Sequence, residues 1–149
     1  MMVILLFNLS FGINWYLPIY GLDIQHKDGF SINIDYLINK RVIYYGFSLD
    51  AGSFTGRYRS NYCMSFFSPM VELKLRLFNY FPFVMKGGSA YIERRNGKSE
   101  EKGFVITSVS TLGFEKDLKG VPFTIYTGIK NFYDRKIGVV WLIGTGFSF

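Results

Sequence analysis

Apolar and polar residues alternate with a period of two through most of the chain. The last segment is the clearest. From Ile137 to Phe149 the odd positions are Ile137, Val139, Trp141, Ile143, Thr145, Phe147 and Phe149. The even positions are Gly138, Val140, Leu142, Gly144, Gly146 and Ser148. Successive side chains of a strand point to opposite faces, so this segment has one bulky apolar face and one made mainly of small residues. Residues 30–38 set Phe30, Ile32, Ile34, Tyr36 and Ile38 against Ser31, Asn33, Asp35 and Leu37. Residues 71–77 set Val71, Leu73, Leu75 and Leu77 against Glu72, Lys74 and Arg76. Residues 43–52 and 121–129 alternate in the same way. Three segments are less tidy: 15–25 carries apolar residues on both faces, 83–95 has Lys86-Gly87-Gly88 at its centre, and 104–114 mixes Val, Thr and Ser. Together they predict eight strands, at 14–25, 29–38, 41–53, 66–78, 81–95, 103–116, 121–133 and 137–149. No helix and no repeat beyond hairpins emerges.

The connections fall into two classes. Asn39-Lys40, Asn79-Tyr80 and Asp117 to Gly120 are tight, with Lys119-Gly120 as a turn signal. His26-Lys27-Asp28, residues 54–65, residues 96–102 and Asp134-Arg135-Lys136 are more polar and on average longer. Alternate turns of an up-and-down meander lie at opposite ends. One end therefore gathers the tight turns and both termini, and the other gathers two long polar loops and two short charged ones.

Composition narrows the class. The chain has 149 residues, 49% apolar and 19% charged, with 16 Phe, 11 Tyr and 2 Trp. That length suits one domain with a real core. Charges are too few and aromatics too many for disorder. No run of about 18 apolar residues exists, which excludes an ordinary transmembrane helix. Alanine occurs only at Ala51 and Ala90, which argues against a helical bundle. Cys63 is the sole cysteine, so an intrachain disulfide and a multi-cysteine metal site are both excluded. It reads as a small apolar residue. Residues 1–12 are continuously apolar to Phe7 and contain the small-x-small triplet Ser10-Phe11-Gly12. They read either as the remnant of an export signal or as the first apolar stretch of the fold.

Eight strands with opposed apolar and polar faces, tight turns at one end, longer loops at the other and a C-terminal Phe149 resemble a small outer-membrane β-barrel of the OmpA/OmpX type. The resemblance covers residues 13–149 and implies an eight-stranded antiparallel up-and-down transmembrane β-barrel. The stretch from Val139 to Phe149, with Trp141, Phe147 and Phe149, resembles the C-terminal strand by which the barrel-assembly machinery recognises its clients. It implies a bacterial outer-membrane location with periplasmic termini, and outer-membrane lipids as neighbours. The physics agrees. A lipid-spanning sheet must pair every backbone group internally, so it must close. Trp15, Tyr16, Tyr36, Tyr80, Phe81, Tyr133, Phe147 and Phe149 fall near strand ends, where aromatic belts meet the headgroups.

If the apolar faces meet lipid, Asp35, Asp50, Glu72, Lys74, Arg76 and Lys86 point inward, with Lys130. Unpaired charges in a narrow barrel are costly, so an internal ion-pair network is expected, filling the interior without a wide channel. The formal charge is +6, and the longer-loop end is basic. Arg57, Arg59, Arg95, Lys98, Arg135 and Lys136 there are candidate contacts for lipopolysaccharide phosphates, against a bland reading as a solvated rim. Nucleic acid is not expected, because no continuous basic face follows from the strands.

No catalytic constellation, metal-ligand spacing or cofactor motif is visible. Lipid A deacylases use a close histidine and serine in a similar barrel, but His26 has no serine two residues on. The expected protein is a monomer without cofactors, with a structural, surface-interaction or lipid-binding role. Two alternatives stay open. One is a soluble lipocalin-like barrel in which Ile34, Tyr36, Phe47, Ile125 and Trp141 line a cavity. The other is a narrow channel or lipid-modifying enzyme in the same membrane barrel.

Overall fold

The computed structural model describes residues 7–20, 27–56, 62–135 and 137–149. They form eight antiparallel strands in one closed barrel, each paired with its sequence neighbours and β1 with β8. The strands are β1 (Phe7–Tyr20), β2 (Lys27–Lys40), β3 (Ile43–Gly56), β4 (Tyr62–Leu77), β5 (Phe81–Asn96), β6 (Ser99–Leu118), β7 (Val121–Phe132) and β8 (Gly138–Ser148). The up-and-down barrel is the one the alternation predicts.

The strands tilt. A row followed from Trp15 through Phe30, Ser53, Ser65 and Glu93 reaches β6 at Lys102. Followed the other way, through Ile143 and Thr127, it reaches β6 at Leu112. The two ends miss by ten residues (102 against 112), the stagger that closure of tilted strands requires.

The bulky faces point outward. Ile13, Trp15, Ile32, Phe47, Val71, Ile125 and Trp141 are all exposed on the barrel wall. Phe81 packs on Phe114, Phe123 on Phe147 and Phe11 on Phe149 near the tight-turn end, with ring centroids 5.1–6.3 Å apart. Ile34, Tyr36, Phe47, Ile125 and Trp141 therefore line no internal cavity, which removes the geometry of the lipocalin-like alternative. Tyr16 differs from the belt expected of it. It lies on the even, inward row of β1 and is buried.

Several boundaries differ from the pattern-based ones. β1 begins at Phe7 rather than residue 14, because Leu9, Phe11 and Ile13 continue its outward row. Phe7–Gly12 are thus barrel residues, while the apolar start at 1–6 lies outside the described residues. Residues 54–56 and 62–65 are strand rather than loop, with Phe54 and Met64 buried inside. The supposed loop at 96–102 is a hairpin tip. Asn96 pairs with Ser99 across Gly97-Lys98, and Gly97 has φ 63°. A left-handed residue at the first turn position suits a II′-type hairpin, and glycine adopts it without strain.

Candidate functional site

Inside the barrel the charges form tiers. Nearest the tight turns, Glu115 of β6 accepts from Lys74 Nζ at 3.2 Å and from Arg76 Nη2 at 2.5 Å. The Tyr44 ring lies 5.5 Å from Lys74 Nζ and 5.1 Å from the Arg76 guanidinium. In the next tier Lys86 Nζ donates to Asp35 Oδ1 at 2.7 Å and to Ser48 Oγ at 2.9 Å, and it lies 3.2 Å from Glu72 Oε2. Asn33 Nδ2 donates to Asp35 Oδ2 at 2.9 Å. In the third tier Lys130 pairs with Asp50 Oδ2, which also accepts from the Tyr16 hydroxyl at 3.0 Å. Asp35, Asp50, Glu72 and Glu115 balance Lys74, Arg76, Lys86 and Lys130 one for one. All six inward charges singled out from the sequence, and Lys130, line this lumen.

Uncharged groups join the tiers. Asn14 Nδ2 donates to Ser31 Oγ at 3.0 Å and to Asn33 Oδ1 at 3.2 Å. Tyr126 OH donates to Asn14 Oδ1 at 2.7 Å. The Tyr126 ring reaches that position because β8 has Gly144 beside it. A Cβ there would lie 2.2 Å from Tyr126 Cε2 and 2.6 Å from Asn14 Oδ1. Gly144→Ala should therefore displace Tyr126, break its bond to Asn14 and cost about 1–3 kcal/mol, the usual range for overpacking. A lowered urea midpoint of the folded barrel measures it, and an unchanged midpoint would show that Tyr126 does not anchor the network. A cavity of about 70 Å³ remains among Asn14, Asp35, Asp50, Glu72, Lys86 and Tyr126. It is too small for a wide channel.

Towards the loop end the lumen turns apolar. Tyr16, Phe54, Phe66 and Phe132 pack ring to ring with centroids 5.3–6.1 Å apart. Met64, Met70, Ala90, Ile92, Val140 and Leu142 complete this plug. Lys130 Nζ sits at its floor, 4.2 Å from the Phe66 ring centroid and 5.1 Å from that of Phe132. A cation over aromatic faces is attracted by their quadrupoles, so Lys130 ties the ionic half of the lumen to the apolar half.

Sequence reasoning missed the plug, Glu115, Asn14, Asn33 and Tyr126. Glu115 sits on the inward row Thr107, Val109, Thr111 and Gly113, and that row is the signal that could have found it. Ser108 and Ser110 on the outward row blurred the contrast.

At the loop end the β5–β6 hairpin carries its own ion pairs. Arg95 meets Glu100 at 3.6 Å, Lys102 meets Glu100 at 3.2 Å and Glu93 at 3.4 Å, and Arg94 pairs with Glu101. The Lys102 ammonium, by hydrogen bond and charge, holds the Glu100 carboxyl below the usual carboxylate range. Lys98 occupies the hairpin turn, and Arg135 is exposed between β7 and β8. Arg57, Arg59, Lys136 and His26 lie outside the described residues. The C-terminal residues face outward. Trp141 Nε1 donates to Thr127 Oγ1 at 2.5 Å, Phe147 packs on Phe123, and Phe149 exchanges two backbone hydrogen bonds with Leu9 at 2.8 and 3.0 Å. Among the described residues no three His, Cys, Asp or Glu side chains gather as a metal site.

Solved structures share this architecture. The N-terminal barrel domain of OprF from Pseudomonas aeruginosa matches with a TM-score of 0.64 and 13% identity, over 95% of this chain and 97% of that one. Neisserial surface protein A matches with a TM-score of 0.61 and 9% identity, over 95% of both. Ail of Yersinia pestis, in complex with the heparin analogue sucrose octasulfate, matches with a TM-score of 0.54 and 14% identity, over 96% of both. The chain has the fold of a small outer-membrane β-barrel protein. No family model and no curated protein matches its sequence. The barrel resemblance drawn from strand count and C-terminal strand is thus met at the level of architecture.

Proposed function

We propose that this protein is a monomeric barrel of the bacterial outer membrane with a structural or surface-interaction role. The observation that carries the reading is the distribution of polarity: bulky apolar side chains face outward around the closed barrel, and the charges inside are paired. Water would disfavour that outer face, and hydrocarbon would favour it. The strands are long enough, since about 9–11 tilted residues cross a bilayer and the shortest strand here has 11. The tight turns and termini face the periplasm in this reading. Trp141, Phe147 and Phe149 form the strand that the assembly machinery reads.

The loop end then faces outward. Arg95, Lys98 and Arg135, with Arg57, Arg59 and Lys136, meet the phosphates of lipopolysaccharide. The capture of an anionic sugar analogue by the similar barrel Ail supports an anionic partner for this end. A plugged lumen favours surface contact over transport.

Fractionation with gel-shift electrophoresis tests the reading. The folded protein should be confined to the outer membrane and run as a band whose mobility changes on boiling. Recovery as a soluble monomer without detergent would overturn it.

A further inference from the structure

Among the described residues the barrel rim is uneven, and the β5–β6 hairpin leaves an open strand edge. β6 runs from Ser99 to Leu118, 20 residues, about twice what a crossing needs. Its pairing with β5 continues to Asn96↔Ser99. Its pairing with β7 stops at Thr107↔Phe132, and the last rung is Tyr133 N–H to Ile106 O at 2.9 Å. There the chain turns away, with Asp134 N–H donating to Phe132 O and Gly138 N–H to Asp134 O. Residues 99–105 therefore have a ladder partner on one side only among the described residues. Backbone groups along a strand point alternately to its two sides. Since Ile106 O faces β7, the N–H and C=O groups of Phe104, Lys102 and Glu100 face the open side. Phe104 and Ile106 beside this edge are 76% and 67% exposed.

An open edge is a template for another strand, and charged side chains usually guard it. Here the guard is self-complementary. Glu100 and Lys102 are two residues apart, so they share a face and carry opposite charges. We propose that this edge pairs antiparallel with the same edge of a second copy held in an apposed membrane. Centred on Glu101, the pairing sets Glu100 of each copy opposite Lys102 of the other and lets both residues exchange backbone hydrogen bonds, while the two Glu101 side chains meet on the opposite face, each already paired with Arg94 of its own chain. Opposite charges directly across an antiparallel pair attract. The existing contacts of Glu100 and Lys102 are exposed ion pairs, weak enough to be shared with a second strand. Antiparallel edges point the two barrels in opposite directions, so the contact bridges two surfaces and leaves each barrel monomeric in its own membrane. Each contact is small, and many between two surfaces add by avidity.

This inference rests on the outer-membrane reading, and one assay separates the two. The full chain is refolded into phosphatidylcholine vesicles, insertion is read from the heat-modifiable band, and particle size is read by light scattering. Vesicles carrying the wild-type chain should grow severalfold in size. Lys102→Glu should abolish growth, because it sets Glu opposite Glu. Glu100→Lys with Lys102→Glu should restore it. Phe104→Pro removes an N–H that faces the open side and should also abolish growth while the barrel still inserts. Insertion with no growth, or growth unaffected by Lys102→Glu, would overturn the inference alone. Failure to insert would overturn both. Stronger growth after Glu100→Ala with Lys102→Ala would show that the charges only guard the edge, and would also overturn it.

Discussion

Lys130→Met should destabilise the folded barrel by about 3–5 kcal/mol, the range for removing one partner of a buried ion pair. The Lys130 side chain is fully buried. Its ammonium neutralises Asp50, which is itself buried and keeps only the Tyr16 hydroxyl after the substitution. A methionine fills most of the lysine's volume, so the loss comes from the uncompensated carboxylate rather than from a cavity. It should appear as a lower urea midpoint in lipid vesicles and as loss of the fast-migrating folded band at a lower temperature. Lys130→Met combined with Asp50→Asn should recover most of the loss, because the charge is removed with its partner. A double variant no more stable than the single one would mean that packing of Lys130 against Phe66 and Phe132 dominates. Arg76→Ala provides the contrast. Arg76 is partly exposed, and Glu115 keeps Lys74 when Arg76 is gone, so a smaller effect follows.

Why the ionic half of the lumen was legible in the sequence, and the apolar half was not, follows from what alternation can report. Glu72, Lys74 and Arg76 interrupt a leucine row at every second position, and a charge between leucines has only one sensible side. Asp35 and Asp50 stand out in the same way. Phe54, Met64, Phe66 and Phe132 are apolar residues on an inward row whose outward neighbours include Ser53, Ser65 and Asn131. There the pattern inverts, and an apolar lumen beside a polar rim reads as a loop. The same inversion made residues 54–65 look like one long connection. Lys86 was legible as a charge, but its partners Asp35 and Ser48 lie on other strands. Register decides which strands meet at one height, and the ten-residue stagger is invisible in the alternation of any single strand. The edge at 99–105 was hidden for the same reason: its openness is set by where β7 ends.

Phe66→Ala should cost about 3–5 kcal/mol, the range for truncating a well-packed core aromatic. Phe66 touches every other ring of the plug: its centroid lies 6.1 Å from Tyr16, 6.0 Å from Phe54 and 5.4 Å from Phe132. It also lies closest to the Lys130 ammonium. Rigid strands on all sides prevent collapse, so the void persists between the plug and the ion pair beneath it. The adjacent Phe67 is the same residue on the opposite face, 46% exposed on the outer wall. In the outer-membrane reading, lipid chains fill the space its ring leaves. Phe67→Ala should therefore lose only part of a side-chain transfer free energy, about 1 kcal/mol. The pair of urea midpoints, measured in the same vesicles, checks the inside-out assignment directly. A large loss at position 66 and a small one at 67 is expected. Equal losses, or the reverse order, would place the register of β4 one residue out and turn its apolar and charged faces around.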